Sequence, residues 1–193
     1  MSFILSMFVV ILSSVFMLGC SVSQHAGLAE INKDKVITDI SSDMYATRAS
    51  ALLKLISYGE KTPLSDEFID ALLRQLAREP DWRIKVRIIS TLGCAENKQK
   101  ILPILIQCLS DRDPDSGGSG QVPSTAASVL SRVGDVAAID PLDDWIQYLR
   151  KNPYPLNDKD GGREYNESML GRNVKYLSIL KENKGKGVTP AKP

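Results

Sequence analysis

The stretch KVRIISTLG, residues 85–93, decides how this chain folds, because its pattern occurs twice more. The other two copies are ASALLKLISYG at 49–59 and TAASVLSRVG at 125–134. Each copy carries apolar residues seven, four and one positions before its final glycine, which places them on one face of an α-helix. The glycine is expected to stop the helix. The nine apolar residues are Leu52, Leu55, Tyr58, Val86, Ile89, Leu92, Ala127, Leu130 and Val133.

A second helical pattern alternates with the first, in DEFIDALLRQLAR (66–78), KILPILIQCLS (100–110) and DPLDDWIQYLR (140–150). Its last leucines are 33 and 40 residues apart, nearly the same steps as the 34 and 41 between the glycines. The insertion DSGGSGQ (115–121), whose glycines predict a flexible loop, explains the longer second step. Two series that share one period predict stacked helical hairpins around a continuous core. A proline is expected to end each alternate helix, at Pro80, Pro114 and Pro153.

The body of the chain resembles the HEAT-like repeats of the phycobilisome-lyase type. The resemblance covers about residues 44 to 150 and rests on DWRIKVRIISTLG (81–93), SDRDP (110–114) and ASVLSRVGDVAAIDPLDDWIQYL (127–149). It implies an all-α fold, an α-solenoid of about three to four HEAT-like hairpins. A final helix with Leu177 and Leu180 facing inward would cap the stack, and a weaker helix around Val36, Ile37 and Ile40 would open it.

The N-terminus has the pattern of an export signal. Residues 1–19 contain no charged residue, and the apolar run at 3–18 is short for a membrane span, which takes about 20 residues. Met17, Leu18, Gly19 and Cys20 resemble the lipobox of bacterial lipoproteins, although Met17 replaces the usual leucine and no Lys or Arg precedes the run. The resemblance implies cleavage before Cys20 and acylation of its sulfur. An uncleaved signal anchor, or a cysteine buried in an ordinary apolar helix, remains the alternative.

These patterns divide the chain into four segments. We predict a lipoprotein signal peptide at 1–19, a polar tether at 20–34, the HEAT-like repeat domain at 35–180 and a disordered basic tail at 181–193. The lipid on Cys20 would attach the protein to the bacterial cell envelope. Ser21 follows the cysteine where an Asp would often signal inner-membrane retention, so the family rule favours the outer membrane, with the domain facing the periplasm.

Composition argues against several classes of function. The 24 basic and 23 acidic residues nearly cancel, whereas a nucleic-acid binder usually shows a basic excess. His25 is the only histidine, and we expect no metal site, no cofactor and no catalytic residue, since that chemistry leans on histidine. Cys94 and Cys108 are expected to lie too far apart for a disulfide, because one stands at a hairpin turn and the other near the end of the next helix.

One charge pattern predicts a binding surface. The glycine-ended helices carry basic residues and no acidic ones, the capping helix adds Arg172 and Lys175, and the alternate helices lean acidic. In repeats of this type the second helix of each hairpin lines the concave face, so the resemblance implies a basic inner surface. The alternative is an internal ion ladder, with Arg87 and its counterparts bound to Asp81, Asp111 or Asp113. The basic residues are Arg48, Lys54, Arg83, Lys85, Arg87, Arg132, Arg172 and Lys175.

The function predicted from these features is a lipid-anchored envelope scaffold, a protein-interaction module without catalysis. The expected partner is an envelope protein or an acidic peptide, and no nucleic acid. A small-ligand carrier or lyase-like enzyme is the alternative, using a pocket between the C-terminal repeats beside the insert PYPLNDKDGG (153–162). The lyase relatives act on bilins, but no residue in this chain carries that role.

Overall fold

A computed structural model describes residues 31–112, 120–153 and 162–186, which form α-helices joined by short connections. The predicted signal peptide, Cys20 and most of the predicted tether lie outside these residues, as do Pro114 and most of the glycine-rich insertion. A short 3-10 turn, Val136–Ala138, precedes α7. The helices are α1 (Lys33–Ile40), α2 (Tyr45–Gly59), α3 (Asp66–Arg78), α4 (Trp82–Leu92), α5 (Lys98–Cys108), α6 (Gln121–Val133), α7 (Ile139–Lys151) and α8 (Gly162–Gly185).

The helices alternate between two series, as the repeat period predicts. The glycine series consists of α2, α4 and α6, and its members pack directly against one another in chain order. The alternate series consists of α3, α5 and α7. Helix α8 packs against both α6 and α7, and so closes the stack. The prediction of an all-α solenoid is therefore confirmed.

Helix α3 shows how the sequence produces this packing. Its apolar residues recur every three or four positions, and Ile69 and Leu72 are fully buried. Burial of one such side chain contributes about 1.5–3 kcal/mol relative to its exposure to water. Acidic Asp66 and Glu67 occupy the first turn and Arg78 the last, where each charge interacts favourably with the helix dipole.

The glycines that end the glycine series act in two different ways. Gly134 has a left-handed conformation, with φ of 78°, and its N–H donates to the carbonyl of Leu130 at 2.9 Å, so it stops α6 as predicted. Gly93 has an ordinary φ of −59°, and Gly59 is likewise outside the positive-φ region. A Cβ on Gly59 would lie 2.6 Å from the Cβ of Cys94. Helices α2 and α4 still end at Gly59 and directly before Gly93, as predicted, but these glycines permit close packing between repeats and do not adopt a left-handed conformation.

Backbone hydrogen bonds also join neighbouring hairpins. The N–H of Leu64 donates to the carbonyl of Cys94 at 2.9 Å, and the N–H of Glu96 donates to the carbonyl of Leu64 at 3.0 Å. These bonds form a parallel bridge between Leu64 and Ala95, the residues that precede α3 and α5. The bridge holds two successive turns of the solenoid at a fixed spacing, and no side-chain pattern in the sequence indicates it.

The capping helix faces the stack with the residues that the sequence predicts. Leu177 and Leu180 of α8 are buried, together with Met169 and Asn173. The side-chain amide of Asn173 donates to the hydroxyl of Ser124 at 3.0 Å and to the carbonyl of Met169 at 2.9 Å. The contact with Ser124 fixes the position of α8 on α6, because a slip by one residue would break this buried hydrogen bond between the two helices.

The domain boundaries differ slightly from the predicted ones. Helix α1 begins at Lys33, within the predicted tether, and its Val36 and Ile40 are buried. Helix α8 continues to Gly185, so residues 181–185 of the predicted disordered tail are helical. In the described part of the chain, no helix has the length and apolar character needed to cross a membrane.

Candidate functional site

The structure separates the eight predicted basic residues into groups with different environments. Arg48 forms a buried ion pair with Glu79, with Nε 3.0 Å from Oε2, and its side chain is only 11% exposed. Its Nη1 also donates to the carbonyls of Ser42 and Asp43, at 2.8 and 2.9 Å. Arg48 thus has a structural role in joining α2 to the end of α3, and it contributes little to any binding surface.

Lys85 also faces an internal partner. Its ammonium lies 3.6 Å from the carboxylate of Asp111, and both side chains are largely covered. They line a cavity of about 470 Å³ at the ends of α3, α4 and α5, whose wall includes Ile104 and Cys108. Internal ion pairs of the kind that the ion-ladder interpretation describes therefore account for Arg48 and Lys85, and Arg83 likewise pairs with Asp81.

Arg83 and Arg87 line a different feature, an open groove on the surface of α2 and α4. Its volume is about 410 Å³. Helix α4 contributes residues at successive turns along one face, and α2 contributes two residues three turns apart. The lining residues are Tyr45, Ile56, Trp82, Arg83, Val86, Arg87 and Ser90. We refer to this feature as the α2–α4 groove.

The two arginines of the α2–α4 groove differ in whether they have an acidic partner. The guanidinium of Arg83 holds Asp81, the N-cap of α4, with Nη2 2.7 Å from Oδ2 and Nε 3.0 Å from Oδ1. This side-chain hydrogen bond lowers the pKa of Asp81 below its ordinary value. Arg83 also lies 5.3 Å from the ring centroid of Tyr45, at cation–π distance. Arg87 makes no ion pair with any residue that the structure describes.

Two of the three carboxylates that were the expected partners of Arg87 pair with other residues. Asp81 pairs with Arg83, and Asp111 pairs with Lys85. Asp113 lies outside the described residues. Arg87 is half-buried and lines the α2–α4 groove. It is therefore the cation that a ligand in the groove would meet.

Arg132 belongs to α6, but its guanidinium lies at the C-terminal end of α4, away from the α2–α4 groove. A Cβ atom added to Gly93 would lie only 2.8 Å from Nη2 of Arg132. The ammonium of Lys98 donates to the carbonyl of Gly93 at 2.9 Å, and burial lowers the pKa of Lys98. Both cations therefore lie at the C-terminal end of α4, where the helix dipole favours positive charge. The remaining basic residues, Lys54, Arg172 and Lys175, are exposed to solvent.

Two aromatic residues of the groove were missed by the sequence analysis. Tyr45 and Trp82 are the first residues of α2 and α4, so the aromatic position is equivalent in two consecutive repeats. Tyr45 is 41% exposed, and the neighbouring Met44 is 67% exposed, so both side chains are accessible to a ligand. Their common position at the start of a glycine-ended helix was the signal that could have identified them.

The two cysteines of the repeat domain do not form a disulfide. Cys94 and Cys108 are free, as predicted, but both are only half-buried rather than fully buried. Burial raises the pKa of Cys108 to about 11. The pocket expected beside the insert 153–162 cannot be placed, because residues 154–161 lie outside the described part of the chain. No group of three or more potential metal ligands occurs among the described residues.

The comparisons with known proteins agree with the architecture. The family model of HEAT repeats matches residues 69–150, which extend from α3 to α7. This part of the chain is therefore composed of HEAT-like helical repeats, which suggest a protein-interaction scaffold. Searches of curated proteins and of solved structures found no match. The resemblance to the lyase type and to the lipobox stays a prediction.

Proposed function

We propose that this protein is a lipid-anchored scaffold of the bacterial cell envelope whose repeat domain binds a partner protein in the α2–α4 groove. The observation that carries the proposal is the composition of that groove, in which Arg87, which makes no ion pair within the described residues, shares the lining with Tyr45 and Trp82. Tyr, Trp and Arg are the residue types that contribute most to protein–protein binding. The HEAT-like repeats supply an extended surface on which such a groove can receive a polypeptide.

The electrostatics of the groove favour an acidic partner segment. A guanidinium without a counterion can form two parallel hydrogen bonds to one carboxylate, which adds both energy and geometric specificity. The low-dielectric walls formed by Ile56 and Val86 strengthen this attraction relative to water. The proposal assigns the protein no catalytic activity and no cofactor, and its partner is a protein rather than a nucleic acid.

The proposed anchor is the lipid on Cys20. Acyl chains contribute about 0.8 kcal/mol per buried CH₂ group, and two or more chains hold a protein stably where one does not. The sequence between Cys20 and α1, which begins at Lys33, would then connect the membrane to the first repeat. Outer-membrane attachment with the domain in the periplasm is part of the proposal, and it rests on Ser21 and on the lipobox resemblance.

Photo-crosslinking in the intact envelope tests the proposal. A photoreactive amino acid at Ser90 lies in the groove, and the same residue at Arg150, an exposed position of α7, is the control. We expect a discrete adduct with one envelope protein from position 90 only. Arg83→Glu with Arg87→Glu should abolish it, whereas Lys54→Glu with Lys175→Glu, which changes the net charge equally at exposed sites, should not. No adduct at position 90, or an adduct that survives the arginine reversal, would contradict the proposal.

A further inference from the structure

The α2–α4 groove presents two kinds of chemistry at a fixed separation. Its aromatic end is formed by Tyr45 and Trp82, the first residues of their helices. Arg87 follows Trp82 by five residues on α4, which corresponds to about 7.5 Å along the helix axis at 1.5 Å per residue. Val86 directly precedes Arg87 on α4, and Ile56 of α2 also lines the groove, so apolar surface adjoins the arginine.

Within the described residues, the guanidinium of Arg83 already binds a carboxylate, whereas that of Arg87 does not. Arg83 already holds the carboxylate of Asp81 through two contacts and lies against the ring of Tyr45. It is therefore part of the aromatic end, where it holds the ring in place. Arg87 makes no ion pair within the described residues, and its position determines where an incoming carboxylate must lie.

An extended peptide matches this spacing. Side chains at positions i and i+2 of a strand point to the same side and lie about 6.8 Å apart, since the rise is about 3.4 Å per residue. If an apolar side chain at position i of the peptide contacts the aromatic end, the carboxylate at position i+2 therefore reaches Arg87. Neighbours at i and i+1 point to opposite sides, and a spacing of i+4 overshoots the distance by a factor of about two.

We infer that the α2–α4 groove recognises an extended, acidic segment of a protein in which a large apolar residue and an Asp or Glu are separated by one residue. The inference rests on the proposed function, since it names the partner chemistry of the same groove. Charge complementarity at Arg87 selects the carboxylate, and the contact area of Tyr45 and Trp82 selects the apolar side chain. The groove is open to solvent, so the segment can enter it from the side.

Synthetic peptides test this spacing. The probes are glycine–serine peptides that carry one Phe and one Glu separated by zero, one, two or three residues, and binding is measured by fluorescence anisotropy to the full-length mature chain in detergent. We expect the peptide with one intervening residue to bind about tenfold more tightly than the others, because only it makes the charged hydrogen bond and the aromatic contact together. Equal affinity for all four spacings would overturn the inference.

Two variants show which residues cause the preference. Arg87→Gln should remove the preference for Glu over Gln in the peptide, and Tyr45→Ala should reduce the preference for Phe over Ala. Lys54→Gln, an exposed change on α2, is the matched control, and circular dichroism establishes that each variant is folded. A spacing preference that persists in Arg87→Gln would contradict the assignment. Binding of phosphatidylglycerol vesicles that depends on Arg87, without peptide binding, would assign the groove to lipid and overturn the inference.

The outcomes of the peptide assay and of the crosslinking experiment are independent, so each can contradict its own proposal without the other. If Ser90 crosslinks to an envelope protein but the peptides show no spacing preference, the scaffold function stands and the recognition rule is wrong. If the peptides behave as expected but no envelope adduct forms, the groove chemistry stands and the proposed cellular role is wrong.

Discussion

Arg48 and Glu79 form an ion pair that joins positions 31 residues apart, and the carboxylate of Glu79 is completely buried. Nη2 of Arg48 donates to Oε1 at 3.1 Å, and the side chain of Gln75 donates to Oε2 at 2.7 Å. The N–H of Asp81 adds a third donor at 3.2 Å. The Arg48–Glu79 pair thereby connects the turn before α2, the end of α3 and the start of α4.

Removal of the Glu79 carboxylate should destabilise the domain strongly. Glu79→Ala leaves the guanidinium of Arg48 buried without a counterion, and breaking a buried pair costs about 3–5 kcal/mol. Urea denaturation followed by circular dichroism measures the change in the free energy of unfolding. Asp39→Asn is the control, because it breaks only the exposed Lys35–Asp39 pair and should change stability by less than about 1 kcal/mol. A loss below about 1 kcal/mol for Glu79→Ala would show that the pair is dispensable.

Addition of a methyl group at Gly59 should also destabilise the fold. The new Cβ would lie 2.6 Å from the Cβ of Cys94, and overpacking of this kind costs about 1–3 kcal/mol. Cys94→Ala should not rescue the variant, because alanine keeps the Cβ atom that causes the clash. Gly171→Ala is the matched control: nothing lies within 4 Å of its new Cβ, so better helix propensity should stabilise α8 by about 0.5–1 kcal/mol. Similar effects at both glycines, measured by thermal unfolding, would argue against the close-approach role of Gly59.

The thiol of Cys108 should react slowly with alkylating reagents. Burial raises its pKa to about 11, so at pH 8 roughly one molecule in a thousand carries the reactive thiolate. The rate of iodoacetamide labelling, followed by peptide mass spectrometry, should rise about tenfold per pH unit and should increase sharply in urea. Because the pKa is higher in the folded chain than the ordinary value of 9.0, stability should fall as the pH rises from there towards 11. Rapid labelling of the folded protein at pH 8 would contradict the buried environment.

The lipid anchor is tested at Cys20. Wild-type cells should incorporate labelled palmitate into the protein, and the mature protein should partition into the detergent phase. Cys20→Ala should abolish the label and leave an unprocessed precursor, because the sulfur of Cys20 is the proposed acceptor of the diacylglyceryl group. Cys94→Ala controls for the loss of one cysteine and should retain the label. Label that remains after Cys20→Ala would refute the assignment.

Hydrophobic periodicity alone determined the helices, their order and the two alternating series. Leu52 and Leu55, or Leu142 and Ile146, identify a buried helical face because helix geometry places residues three and four apart on one side. This information is local, since it depends on neighbours within two turns. The same reasoning identified Leu177 and Leu180 as inward-facing residues of the capping helix.

Only the tertiary structure decided what the glycines and the basic residues do. Gly59 and Gly134 look alike in sequence, but one permits contact with Cys94 and the other adopts a left-handed φ. Arg87 and Lys85 are two residues apart, yet they point about 200° apart around α4, so one lines the groove and the other meets Asp111. The physical reason is that a charge's role depends on its partner, and partners such as Glu79 for Arg48 come from another hairpin, whose position is set by the stacking of the repeats.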